Sequence, residues 1–214
     1  MAPARVIGAL IAEIDLYLSR LSGEEENVAA VRRMIEACGR NPIKAVRANP
    51  DPACGYLDDA LAACDDAGLA PAIARARSHL NWIAYTLYPP VEIGARWLEA
   101  HAMACLIGDT GFIPADDFEL GLFLMAPRTL YRDHHHPAPE LYVPITGPHE
   151  WRFAPGAAWI VKPAHAPVWN PPNTIHATLV RDVPFLCLYA WTRDVNLPAK
   201  VDAAPDWVAI EAAL

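Results

Sequence analysis

Two hydrophobic periods divide this chain. Over residues 7–21 the apolar positions Ile7, Leu10, Ile11, Ile14, Tyr17, Leu18 and Leu21 recur at intervals of three and four, which predicts an amphipathic helix with one buried face. Ser22 opens a second helix through a capping box with Glu25, and Val28, Val31, Ile35 and Cys38 carry it to Gly39 and Pro42, which end it. Residues 41–55 read as a proline-rich connection and as the segment best suited to be a mobile loop. Further helical patterns cover residues 57–67, 71–87 and 92–107, each bounded by Gly or Pro. The stretch 1–108 is therefore expected to be helical.

After Gly108 the period changes. Short runs of Val, Ile, Leu and aromatic residues are broken by Pro, Gly or Asn roughly every eight to twelve residues. Strands are predicted at residues 119–126, 129–136, 140–145, 149–153, 157–161, 166–169, 174–180 and 185–192, with Gly147 and Pro148 as a tight connection. Many short strands without intervening helices predict a double-sheet roll. The aliphatic faces of the helices have to be buried, and the roll is the surface available to them, so one compact unit is expected.

Composition narrows the class. The 214 residues are 54% hydrophobic, enough for a sizeable core. A formal net charge of -8 and a sequence pI near 5.4 argue against nucleic acid or an anionic membrane as partner. Arg5, Glu13, Asp15 and Arg20 interrupt the apolar first segment, so neither a signal peptide nor a membrane span is expected, and the chain is assigned to the cytoplasm. Cys38, Cys54, Cys64, Cys105 and Cys187 are odd in number and lack Cys-x2-Cys spacing, so they read as buried thiols.

Candidate chemistry concentrates between Tyr131 and Gly147. Side chains alternate along a strand, so His134 and His136 share a face and His135 points away. Pro137 and Pro139 mark a turn or edge, and beyond it Glu140 and Tyr142 share one face while Leu141 and Val143 take the other. A distal histidine, His176, completes the set. Imidazole nitrogens with a carboxylate suit one divalent transition metal ion: zinc, iron, manganese, cobalt or nickel.

The spacing His134-x-His136-x3-Glu140-x6-Gly147 resembles the first signature of the cupin superfamily, with Arg128 where that signature opens on glycine. Pro171, Asn173 and His176 resemble the second, with Asn173 in place of a glycine and Val180 in place of an asparagine. Asparagine also tolerates a positive φ. The set Tyr131, His134, His136, Glu140, Tyr142 and His176, preceded by residues 117–127 and by a helical region, resembles the cupin-type dimethylsulfoniopropionate lyases. The resemblance covers most of the chain and is sharpest over residues 117–147.

The resemblance implies an α+β fold: a helical N-terminal region, 1–108, packed on a C-terminal cupin double-stranded β-helix, a metal-binding jelly-roll barrel, 109–214. It implies a metal-dependent carbon–sulfur lyase that splits dimethylsulfoniopropionate by β-elimination into dimethyl sulfide and acrylate. The implied metal ligands are His134, His136, Glu140 and His176. Tyr142 is the implied base and Tyr131 the implied substrate-holding tyrosine. Among the aromatic residues of the roll, Trp191 is the candidate to face a sulfonium, because its strand follows the one bearing His176. Arg128, Arg132, Lys162 and Arg193, as well as His149 and His165, are read as surface or hydrogen-bonded residues. The partner is a small zwitterionic or carboxylate substrate. The helical region is either a lid over the roll or the surface of a homodimer.

Two other functions use the same residues. An iron-dependent cupin dioxygenase would keep the same ligands and leave positions for oxygen and substrate. A non-catalytic cupin would bind a small ligand and make no demand on Tyr142.

Overall fold

A computed structural model describes residues 2–21 and 25–214. Helix α1 (Pro3–Leu21) buries Ile7, Leu10, Ile11, Ile14, Tyr17 and Leu18, the stripe set by the three-and-four spacing. Helix α2 (Glu26–Cys38) buries Val28, Val31 and Ile35. The expected capping box at Ser22 lies outside the described residues. A 3-10 turn (Pro52–Tyr56) leads into α3 (Leu57–Ala63) and α4 (Leu69–Ala76). The connection before that turn is pinned: Lys44 N–H donates to the Phe112 carbonyl at 2.8 Å, and Asn49 N–H to the Leu80 carbonyl at 3.1 Å.

The structure departs from the helical expectation at residues 71–87. The helix stops at Ala76 and the chain then runs extended, bridging Asn49 on one side and Met103 on the other. Pairing outweighs the local pattern here, because β-prone Trp82, Ile83 and Tyr85 find long-range partners for their backbone N–H groups: the Asn49 carbonyl, the Met103 carbonyl and the His101 ring. The expected helix at 92–107 is likewise replaced. Two short helices, α5 (Pro90–Ile93) and α6 (Ala95–Ala100), meet at Gly94, whose φ of 91° breaks the helix. Strand β1 (His101–Ile107) follows and pairs with residues 119–125.

The remaining strands are β2 (Glu119–Met125), β3 (Thr129–His135), β4 (Glu140–Pro144), β5 (His149–Arg152), β6 (Ile160–Lys162), β7 (Val168–Asn170), β8 (His176–Val180), β9 (Phe185–Trp191) and β10 (Lys200–Val201). All eight expected strands form, and β1 and β10 add to them. Helix α7 (Trp207–Ala212) follows. The strands make two antiparallel sheets, ordered β1-β2-β9-β4-β7 and β10-β3-β8-β5-β6. This is the double-sheet roll that the strand pattern predicts, helical at the start and strand-rich after.

Alternation along the first sheet sorts its residues into two clusters. Leu120, Leu122, Leu124, Leu141, Val143, Leu186 and Leu188 face outward and merge with the aliphatic faces of α1 to α4. Phe123, Met125, Tyr142, Phe185, Cys187 and Tyr189 face inward, where they meet Tyr131, Trp151 and Val180 of the second sheet. The helices thus clothe one outer wall, and the aromatic interior is left to form a site. Among the described residues no helix is long and apolar enough to cross a membrane, and all five cysteines are free.

Candidate active site

Three imidazoles converge in the interior. His134 lies at the end of β3 and His136 just beyond it, and His176 opens β8 directly opposite His134 in the register. One ring nitrogen from each lies within 4.8 Å of those of the other two. His135 points away and meets Asp202 at 2.5 Å.

Each ring is oriented by its own backbone. Nδ1 of His134, His136 and His176 bonds the carbonyl of Arg132, Ala138 and Thr174, at 2.8, 2.8 and 2.9 Å. A carbonyl only accepts, so Nδ1 carries the proton and Nε2 turns its lone pair inward. Nε2 of His134 and of His176 are buried and, among the described residues, have no hydrogen-bond partner. A buried unpaired acceptor costs about 1–3 kcal/mol, and two beside each other, both aimed at one point, are the pattern of a ligand set.

Glu140 opens β4 and supplies oxygen to the same point. Its Oε2 is 3.2 Å from His136 Nε2 and 3.3 Å from His176 Nε2. Trp191 Nε1–H donates to Oε1 at 2.7 Å and Asn170 Nδ2–H to Oε2 at 3.1 Å, so the carboxylate is held from both ends. Burial pushes the Glu140 carboxyl up, but His136 and His176 outweigh it and hold it well below the usual carboxylate range. Burial, reinforced by the neighbouring imidazoles, pushes His134 well below its ordinary value and keeps it neutral. A neutral His134, an ionised Glu140 and imidazole nitrogens converging on one point fit a divalent metal ion.

Tyr142 lies two residues beyond Glu140 on the same face, with its ring 6.3 Å from that of His176. Its phenol is raised well above the ordinary value by burial first and then by the charge of Glu140. Tyr131 reaches the site through an irregularity in β3. Between the pairs Tyr131–Thr178 and His134–His176, β3 has one residue more than β8, a β-bulge at Arg132 and Asp133. Strict alternation would put Tyr131 on the face opposite His134. The bulge instead stacks the two rings 3.8 Å apart. Asp133 is fully buried and accepts from Arg152 Nε at 2.9 Å and from Trp207 Nε1 at 2.7 Å, which anchors the bulge from outside.

The aromatic column continues beyond Tyr131. Trp97 stacks on it at 3.7 Å and His101 stacks on Trp97 at 3.7 Å. The Tyr131 hydroxyl lies 2.7 Å from that of Tyr88. Tyr88, Trp97 and His101 were not among the residues singled out from the sequence. The available signal was Pro89, which disfavours helix at the residue before it and so separates Tyr88 from the helical pattern.

A cavity of about 310 Å³ opens onto this group, lined by Tyr131, His136, Glu140, Tyr142 and Trp191 on the strands and by the extended segment 83–88 opposite. Other candidates lie elsewhere. Arg128 meets Asp182 at 3.5 Å, Arg132 binds Glu211 at 2.8 Å, and His165 takes Tyr17 and Asp65 as partners. Trp151 is core, and Trp159 covers Arg152. Arg128 and Asn173, which stand where the two signatures have glycine, adopt φ of 56° and 59°.

Comparison with known proteins gives a consistent set of matches. A family model described as "Dimethlysulfonioproprionate lyase" matches residues 25–187. The chain is 29% identical over 109 residues to dimethylsulfoniopropionate lyase DddQ of Ruegeria pomeroyi, covering 51% of this chain and 54% of the relative. It is also 29% identical over 154 residues to DddL of Cereibacter sphaeroides, covering 67% of this chain and 60% of the relative. The matched region thus spans little more than half the length of these curated relatives. The crystal structure of DddQ from Ruegeria pomeroyi superposes with a TM-score of 0.64 at 21% identity, covering 90% of this chain and 98% of that one. A chain from the crystal structures of the DMSP lyases RdDddP and RnDddQII gives 0.70 at 18% identity, covering 94% and 100%. At these identities the superpositions speak for the fold.

Proposed function

This chain belongs to the dimethylsulfoniopropionate lyase family, and from that premise we propose that it cleaves dimethylsulfoniopropionate by β-elimination at a single divalent metal ion, with Tyr142 as base. The observation that carries this reading is the convergence of three buried imidazoles and Glu140 at one end of a cavity that Tyr142 also lines. His134, His136, Glu140 and His176 are the residues that would hold the ion. When bound, a divalent cation supplies Lewis acidity, drawing electron density from the substrate carboxylate and offsetting the Glu140 charge that, with burial, keeps the Tyr142 phenol protonated.

The chain's own residues account for the rest. In its ionised form the Tyr142 oxygen takes the α-proton and becomes the neutral phenol, the C–H pair becomes the new C=C bond, and the C–S pair leaves on sulfur, giving acrylate and dimethyl sulfide. Tyr131, fixed between Trp97 and His134 and bonded to Tyr88, presents a rigid hydroxyl to the substrate. Trp191 contributes a ring to the wall while its N–H holds Glu140 in place. The aromatic walls limit water around the reacting carbon.

Headspace analysis tests the reading. Metal-loaded protein is expected to release dimethyl sulfide, and Tyr142→Phe to lose roughly 10²–10⁴-fold in kcat while keeping its metal. Oxygen uptake with a thiol or carboxylate, and no dimethyl sulfide, would replace the lyase with a dioxygenase.

A further inference from the structure

The cavity that ends at the histidines carries a second acidic group. Glu119, the first residue of β2, is paired in the register with Trp191, and Trp191 with Glu140. The three therefore form one row across β2, β9 and β4 and face the same interior. Neighbouring strands lie ~4.8 Å apart, which separates the two glutamate backbones by roughly 10 Å. Both glutamates line the cavity, with Tyr142, Tyr189 and Trp191 between and beside them.

The position of Glu119 is built. Tyr189 Oη–H donates to Glu119 Oε1 at 2.5 Å. The ring of Tyr189 reaches it by lying across Gly121, its register partner, where an added Cβ would stand 2.6 Å from Cε1 and 2.8 Å from the hydroxyl oxygen. The glycine thus makes room for the tyrosine that holds the acid. Among the described residues Glu119 forms no ion pair: Tyr189 donates to it, Asp109 and Cys105 lie near it, and the neighbouring Lys44 ammonium is bonded to the Asp109 carbonyl. A partly buried carboxylate with one neutral donor, no counter-charge and aromatic neighbours is an environment suited to positive charge.

We propose that Glu119 recognises the cationic end of the substrate, so that the sulfonium sits toward β2 while the carboxylate end lies at the histidines. This rests on the lyase reading above for the orientation of the substrate. The zwitterion spans roughly 5 Å from carboxylate oxygen to sulfur by standard bond lengths, which fits between the two ends of the row once each side chain has extended inward. Sulfur loses its positive charge as the C–S bond breaks, so the attraction is strongest before the chemical step. An interaction of that kind lowers KM more than it raises kcat.

The test is calorimetric binding of two non-cleavable carboxylates to the metal-loaded full chain. One is 3-(trimethylammonio)propionate, which carries a cation. The other is 4-methylpentanoate, which has the skeleton of dimethylsulfoniopropionate with carbon in place of sulfur and so lacks the cation. The wild-type protein is expected to favour the cationic ligand by about tenfold, and Glu119→Gln to abolish that preference while leaving 4-methylpentanoate affinity in place. Tyr189→Phe, which removes only the hydroxyl, should weaken the preference in part. For dimethylsulfoniopropionate turnover, the Glu119→Gln defect should fall on KM rather than kcat. Equal loss of both ligands in Glu119→Gln, or an intact preference, overturns the proposal. Absence of dimethyl sulfide from the wild-type protein overturns the lyase reading instead, and the ligand preference is still decided by calorimetry.

Discussion

The two faces of the first sheet are built from the same strands yet obey different rules. Its outer face, with Leu120, Leu122, Leu141, Val143 and Leu188, is aliphatic and packs against helices. Its inner face places Glu119, Glu140, Tyr142, Tyr189 and Trp191 around a cavity, with nitrogen and oxygen atoms set toward one point. Burial is nearly complete on the outer face, and on the inner face it is complete for Glu140, Tyr142 and Tyr189 while Glu119 and Trp191 are half-buried. The difference lies in what burial costs: the outer side chains gain by leaving water, whereas the inner polar groups lose hydration and recover it only through specific partners. One face stabilises the fold and the other draws on that stability.

This contrast can be broken from either side. The largest effect is expected on the inner face: His136→Ala or His176→Ala should strip the metal and lower activity by at least about 10³-fold, read by elemental analysis and headspace assay, with the thermal midpoint of the metal-free form little altered. Retention of metal in either variant would remove that histidine from the ligand set. On the outer face Leu188→Ala should do the reverse, costing about 2–5 kcal/mol in denaturant unfolding while kcat of the folded protein stays within about twofold. A third change probes a residue that supports a ligand. Trp191→Phe removes the donor to Glu140 Oε1 and should weaken metal affinity about 10–100-fold, measured by competition with a chelator.

The smallest effect concerns pH. His149 is buried away from the histidine cluster, and burial lowers it to about 4. Its folded-state value lies below the ordinary value near 6.5, so an unfolded chain takes up the proton first as pH falls. The stability linked to neutral His149 is present above about pH 6.5 and is lost on descending toward pH 4. His101 behaves alike. His149→Gln should reduce the fall in thermal midpoint across that window by a few degrees.

The legible part of the site was the part governed by strand period. His134 with His136, and Glu140 with Tyr142, share faces because alternation is a local rule. The same rule, applied strictly, misplaces Tyr131, because an added residue at Arg132 and Asp133 resets the count and is visible only through pairing with β8. The wall at 83–88 was hidden for a related reason: its helical spacing was outweighed by backbone bonds to Asn49 and Met103, which lie far off in sequence. Glu119 carried no motif at all. Its significance comes from a row across three strands, and sheet order cannot be read from one strand's pattern.

The bulge in β3 sets a rule for anyone wishing to transplant this centre into another roll. Copying the histidines alone would leave the neighbouring phenol on the wrong side, since that displacement depends on an extra residue clamped from behind by Asp133, Arg152, Asp206 and Trp207. The portable unit is a ligand strand together with its rear anchor, and part of that anchor is contributed by a helix some seventy positions further along the polypeptide.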